Sequence, residues 1–191
     1  MRKLKLQVTM SIDGFVAGPA GEMDWMSWDK SENILAYIME INGSADTILL
    51  GRKMTDGFIP YWENVVANPK DPSYLLGKIM IDTPKVVFTK TLKKSVWANT
   101  TLATGDITDE VNKLKKKEGK DIIVYGGAGF VSSLVKEGLI DEYHLFVDPA
   151  AIGKGMPIFK ELTGVRQFTL IKSIPSDSGT VVLVYEPKKQ D

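Results

Sequence analysis

Two stretches of the sequence put glycine where a strand gives way to a helix, the first with cationic side chains beside it. Leu50-Gly51-Arg52-Lys53 follows the apolar run Thr47-Ile48-Leu49-Leu50, and Tyr125-Gly126-Gly127-Ala128-Gly129 follows Asp121-Ile122-Ile123-Val124. Glycine lets backbone approach a ligand closely, and the free amides and dipole at the start of the next helix favour an anion. Arg52 and Lys53 add charge-assisted donors at the first of these places. A third cluster, Thr89-Lys90-Thr91, sets hydroxyls and a cation just past the strand Lys85-Val86-Val87-Phe88-Thr89. Ligands of parallel sheets bind outside the carboxyl ends of the strands. Three such ends in one row would line a groove long enough for the phosphates of a dinucleotide. Each cluster also has a plainer reading, the glycines as a tight strand-to-helix turn and the cations as a solvated helix start. Their conjunction is what points to an anionic ligand.

Other chemistries lose ground. No Gly-x-Gly-x-x-Gly follows the first strand, and no Gly-x-x-x-x-Gly-Lys-Ser/Thr occurs, which disfavours a doubly wound dehydrogenase and a P-loop ATPase. The chain has one histidine and no cysteine. Thiolate sites and disulfides are therefore excluded, and no metal site is expected. His144 lies in a strand-like run and reads as a side chain satisfied within the fold. The 24 basic and 24 acidic residues cancel, so the electrostatic footprint of a nucleic-acid binder is missing. No secretory leader develops after Met1-Arg2-Lys3, because Asp13-Gly14 interrupts the apolar run. Nor does any stretch reach about 18 consecutive apolar residues. A cytoplasmic protein acting on a small molecule, without membrane or nucleic-acid partners, is the expectation.

The elements that must position these residues follow from the hydrophobic pattern. Leu4 to Ser11 alternates with period two and ends before the turn dipeptide Asp13-Gly14, a first strand. Ser31 opens a helix whose apolar face is Ile34, Leu35, Ile38, Met39 and Ile41, ended by Gly43. The prolines at 60, 69 and 72 make Gly57 to Pro72 read as irregular surface. Thr108 to Lys117 reads as a charged, solvated helix, and Phe130, Val131, Leu134 and Val135 as the inner face of another. Glu142 to Val147, Phe168 to Ile171 and Thr180 to Tyr185 are rich in β-branched and aromatic residues and read as strands. Helices alternate with strands early, and strands alone close the chain. The expectation is one α/β domain over residues 1–191, a mostly parallel sheet with antiparallel C-terminal strands and helices on both faces.

Over nearly its whole length the sequence resembles the dihydrofolate-reductase-like family, closest to the branch containing the reductase domain of the riboflavin-biosynthesis deaminase/reductase. Ser11-Ile12-Asp13-Gly14 is similar to the Ser-x-Asp-Gly segment of that branch. Met23-Asp24-Trp25 resembles the Met-Pro-Trp of the mobile loop in folate reductases. Thr47 to Thr55 is similar to the strand and Gly-Arg-x-Thr motif that grips cofactor phosphate, with Met54 intruding before the threonine. Lys85 to Leu92 resembles the strand and turn that meet the 2′-phosphate of NADPH, and Tyr125 to Phe130 resembles the Gly-Gly pyrophosphate loop.

The resemblance implies a three-layer α/β/α reductase that uses NADPH and forms a homodimer. It assigns Gly51, Arg52, Lys53 and Thr55 to phosphate, Thr89 and Lys90 to the 2′-phosphate, and Gly126, Gly127, Ala128, Gly129 and Phe130 to the pyrophosphate. Val16 and Ala17 would flank the nicotinamide, with Asp24 and Trp25 near the reacting centre and Asp29, Glu32 and Ile34 near the substrate. Apolar Ile34 stands where folate reductases carry the acid that binds the pterin. A riboflavin-precursor-like heterocycle, in the manner of a 5-amino-6-(5-phosphoribosylamino)uracil reductase, is therefore the expected substrate. Dihydrofolate reduction and a silent nucleotide-binding protein of the same fold are the alternatives.

Overall fold

Leu4, Leu6, Val8 and Met10 alternate along the first strand, and all four are buried. They are the centre of an eight-stranded sheet in the computed structural model, which describes residues 1–188; positions 189–191 of the expected domain lie outside the described residues. In chain order the elements are β1 (Leu4–Ser11), α1 (Glu32–Gly43), β2 (Ala45–Gly51), a 3₁₀ turn (Arg52–Met54), α2 (Thr55–Ala67), α3 (Tyr74–Asp82), β3 (Lys85–Phe88), β4 (Thr100–Ala103), α4 (Ile107–Lys115), β5 (Asp121–Gly126), α5 (Ala128–Lys136), β6 (Glu142–Asp148), β7 (Phe168–Pro175) and β8 (Val181–Pro187).

The strands lie in the order β4-β3-β2-β5-β1-β6-β8-β7. All pairings from β4 through β6 are parallel, and β8 runs antiparallel between β6 and β7. Apolar side chains of α1, α2 and α3, among them Ile34, Ile41, Ile59 and Met80, join one face of the sheet in one core cluster. On the other face Val111 and Leu114 of α4 and Val131, Leu134 and Val135 of α5 join a second. The expected α/β/α layering with an antiparallel end is the observed one.

Two readings need correction. Gly57 to Pro72 is largely helical, since α2 contains Pro60 and runs to Ala67. A proline in a helix interior costs about 3 kcal/mol, but burying Ile59 and Val65 returns about 1.5–3 kcal/mol each, and Phe58 and Trp62 pack against the same cluster. The second concerns α4, which is not merely solvated. Val111 and Leu114 are in the core, and Lys115 is buried with its Nζ 2.6 Å from the Leu139 carbonyl and 2.5 Å from Asp141 Oδ2. The short helix α3 and the edge strand β4 add to the expected elements.

Candidate functional site

β2 and β5 are neighbours in the sheet, yet the helices that follow them leave to opposite faces, α2 to one and α5 to the other. Such a divergence opens a crevice at the carboxyl ends of the two strands. Its walls are residues the sequence singled out. Gly51 ends β2, opposite Phe88 of β3, and Gly126 ends β5, opposite Leu50. Thr89 and Lys90 follow β3 directly, so the three clusters stand side by side on one edge of the sheet.

The glycines serve different ends. A Cβ on Gly51 would meet Phe130 Cβ at 2.8 Å and the Gly127 nitrogen at 3.2 Å. Its bare α-carbon is thus what lets the start of α5 pack onto β2, and Phe130 packs tilted against Phe88 at 4.7 Å between centroids. Gly126 has φ +146°, a region β-carbons disfavour, and Met54 Sδ fills the space beside it, which gives the intruding Met54 a packing role. By contrast, Gly129 has open space around it, and a Cβ on Gly127 would only touch Met54 Cβ at 4.0 Å. Gly127 caps α5 without a side-chain bond, whereas Asp106 caps α4 by accepting from the amides of Thr108 and Asp109. The first amides of α5, from Ala128 onward, therefore lack a side-chain acceptor.

The cations flank this opening. Arg52 donates to both oxygens of Asp56 at 2.7 and 2.8 Å and lies over the Trp97 ring at 5.7 Å. An exposed i,i+4 pair of this kind is worth about 0.3–0.5 kcal/mol, so it yields readily to a phosphate, whose charge-assisted bonds are worth about 1.5–3 kcal/mol. Lys53 is exposed. Thr55 is buried, its hydroxyl donating to the Arg52 carbonyl at 2.6 Å, and it shapes the turn. Thr89 Oγ1 accepts from the amides of Thr91 and Leu92 at 3.1 Å each, and the Lys90 ammonium reaches the Gly105 carbonyl at 2.9 Å.

A long loop, residues 12–31, passes from β1 to α1 above the same edge. Val16 and Ala17 pair with Met156 through backbone bonds of 3.0 and 2.8 Å. Asp24 is exposed, and the buried indole nitrogen of Trp25 has no hydrogen-bond partner. A buried donor left unpaired calls for an explanation, and a ligand acceptor would supply one. Asp29 accepts from the Ser31 amide and the Ser178 hydroxyl at 2.8 and 2.7 Å. Burial raises its pKa, but hydrogen bonds from Ser176, Ser31 and Ser178 outweigh that and bring it to about 2. Glu32 is exposed in the first turn of α1, while Ile34 is 1% exposed within the core cluster that includes Tyr37 and Phe146. The crevice therefore gathers the residues read as phosphate-binding; Ile34 stands apart from them in the core.

His144 is buried, with Nδ1 2.8 Å from the Tyr37 hydroxyl and Nε2 2.8 Å from Glu142 Oε1. The His144 contact and then Lys3 hold the Glu142 carboxyl down at about 2. One acid escaped the sequence reading altogether. Asp148, the last residue of β6, is 2% exposed and accepts from Ser27 and Thr180. These partners are far away in sequence, so no local pattern announces them. Among the described residues no group of three or more His, Cys, Asp or Glu side chains is placed to hold a metal ion, and no helix is long and apolar enough to cross a membrane.

A profile of the RibD C-terminal domain matches residues 2–182. The protein YyaP of Bacillus subtilis (strain 168) is 32% identical over 96% of this chain and 94% of its own. Among solved structures, the diaminohydroxyphosphoribosylaminopyrimidine deaminase/5-amino-6-(5-phosphoribosylamino)uracil reductase of Thermotoga maritima superposes with a TM-score of 0.69 at 18% identity, over 98% of this chain and 57% of that one. Dihydrofolate reductase from Enterococcus faecalis, complexed with NADP(H) and RAB-propyl, gives 0.62 at 14% identity over 98% and 97% of the two chains.

Proposed function

We propose, because the chain belongs to the RibD C-terminal domain family, that it is an NADPH-dependent reductase of a small pyrimidine-type heterocycle. The observation that carries the reading is the crevice between β2 and β5, where a glycine loop, uncapped amides and three cations meet on one edge of the sheet. The residues present fit the cofactor. The amides from Ala128 onward and the backbone at Gly127 and Gly129 would take the pyrophosphate, and Arg52, Lys53 and Lys90 the remaining phosphate charge. When bound, NADPH supplies the hydride. The chain binds and orients the reactants and excludes water. Val16 and Ala17 line the nicotinamide end, and the Trp25 indole offers its unpaired N–H to a substrate acceptor. The completing proton comes from water near Trp25 and Asp24. Folate is disfavoured because both carboxylates of α1, Glu32 and Glu40, are exposed, whereas Ile34 is buried.

Thermal melts with NADPH, NADH, dihydrofolate and aminouracil ribose phosphates test this reading. At a hundredfold excess over Kd, binding to the native state contributes about 2.7 kcal/mol, or roughly 5–10 °C for a chain of this size. NADPH without any shift would refute the reading, and a shift without oxidation in the presence of any pyrimidine or pterin would favour a nucleotide-binding protein instead. Lys90→Ala is expected to weaken NADPH by about 10- to 100-fold, the loss of one charge-assisted bond, and to leave NADH nearly unchanged. Equal losses would remove Lys90 from the 2′-phosphate site. A homodimer belongs to the same proposal, supported by the edge strand β7, where Leu170 and Ile171 are half exposed. Sedimentation equilibrium is expected to give twice the 21.1 kDa chain mass, and a monomer at high concentration would overturn it.

A further inference from the structure

We propose that Asp148 is a positioning residue that holds the loop of residues 12–31 against the carboxyl end of β6, with the turn between β7 and β8 as the opposing jaw of a clasp. The catalytic part of this inference rests on the reductase reading; the clasp itself does not.

Asp148 sits at the end of β6 opposite Ser11 of β1, at the same sheet edge as the glycine loops. Both of its carboxylate oxygens are engaged. Oδ2 accepts from the amide and hydroxyl of Ser27 at 2.7 and 3.0 Å, and Oδ1 accepts from the Thr180 hydroxyl at 2.9 Å. A second rung lies beside the first. Asp29 takes the Ser178 hydroxyl at 2.7 Å, Ser31 Oγ lies 3.0 Å from Ser176 Oγ, and the Asn33 amide donates to the Pro175 carbonyl at 2.9 Å. The loop is thus stitched to the C-terminal hairpin by side chains from two carboxylate rungs.

Between the rungs the backbone is strained. Trp28, flanked by Ser27 and Asp29, has φ +49°, a left-handed conformation that a tryptophan adopts only where its surroundings impose it. The hydrogen bonds of the tip before the rungs, residues 18–22, are internal to it. Gly18 bonds Glu22, Gly21 bonds Gly18, and the Ala20 amide bonds the Glu22 carboxylate. Trp25 lies between this tip and Ser27, so Asp148 is the first side-chain anchor beyond it. Lifting the loop would remove two of the three donors from a buried carboxylate, a costly exposure of unmet charge. That differential is what biases the loop toward its closed position.

Hydrogen exchange of the whole chain tests the clasp without any ligand. In Asp148→Asn an amide NH₂ replaces one acceptor oxygen: facing Ser27 it meets the backbone N–H, and facing Thr180 it forces the hydroxyl to turn from donor to acceptor. Exchange over residues 18–28 is expected to quicken by tenfold or more while protection of β5 and α4 stays as in the wild type. Thr180→Val should move the same segment in the same direction, and Thr180→Ser, which keeps the hydroxyl, should restore wild-type protection. If Asp148→Asn does not fold, the Thr180 pair carries the test. Wild-type exchange over residues 18–28 in Thr180→Val, or equal loss across the whole chain, would overturn the clasp. With a turned-over pyrimidine in hand, the variants should raise KM for the heterocycle and lower kcat. Failure of NADPH to bind the wild type would sink the reductase reading and leave the exchange result standing.

Discussion

A Gly51→Ala variant is expected to lose about 5- to 150-fold in NADPH affinity, with a melting temperature several degrees below the wild type. The added carbon would stand 2.8 Å from Phe130 Cβ and 3.2 Å from the Gly127 nitrogen. Neither is the free end of a flexible side chain, so the start of α5 must shift. Overpacking of this kind costs about 1–3 kcal/mol, and each 1.4 kcal/mol is a factor of ten in affinity. The shift displaces the amides that are to meet the pyrophosphate, which links the packing defect to binding. Gly43→Ala is the control. It lies at the end of α1 with nothing within 4 Å of the added carbon, and binding there should not change. Isothermal titration of both variants decides the matter, and wild-type affinity in Gly51→Ala would place the cofactor elsewhere.

The largest stability effect is expected at Tyr143. It is fully buried, stacks on Phe159 at 6.2 Å and meets Phe168 edge-on at 5.0 Å, while Phe168 contacts Tyr185. This aromatic cluster joins β6, β7 and β8 to the segment before β7. Truncating a large buried aromatic side chain to alanine costs about 3–5 kcal/mol, a sizeable share of the roughly 5–15 kcal/mol by which such domains are stable. Tyr143→Ala should therefore melt about 6–20 °C lower. Its hydroxyl tells a separate story. Burial pushes its pKa up to about 12, and it faces the Arg166 guanidinium without completing a hydrogen bond. Removing an unsatisfied buried hydroxyl is neutral or stabilising, so Tyr143→Phe should unfold in urea at or above the wild-type midpoint. A loss in Tyr143→Phe comparable to that in Tyr143→Ala would mean that the hydroxyl, not the ring, holds this end of the sheet.

The buried strands were legible because their patterns are local. Thr47 to Leu50 and Asp121 to Tyr125 are apolar runs bounded by turn signals, and each proved to be a parallel strand ending at the crevice. Where local signals conflict, the reading failed. Pro60 argued against a helix, although Phe58, Ile59, Trp62, Val65 and Val66 already carry the 3.6-residue spacing that burial rewards. Charge hid the stripe Ile107, Val111 and Leu114 in α4. The four residues of β4 include two threonines, and only Ala103 is buried, so little in their pattern marks a strand. At the site, residue types revealed the crevice but not the engagement of each group. Gly51 makes room for Phe130, Thr55 closes a turn, and Asp148 finds its donors only when the chain brings Ser27 and Thr180 to the end of β6. Contacts of that range leave no trace in spacing.

The strand order also sets when the polypeptide can acquire its shape as it is made. β1 precedes the other described strands and is flanked by β5 and β6, which leave the ribosome more than a hundred residues later. At about 5–20 residues per second that interval is roughly 6–25 s. Throughout it the four alternating apolar residues of β1 have no sheet neighbour, while β2, β3 and β4 can already pair among themselves. The nascent chain is thus a half-sheet waiting for its centre, and insertion of β5 between β2 and β1 unites the halves late. Nascent chains stalled before Asp121 should remain sensitive to protease at β1, and those extended past β6 should not.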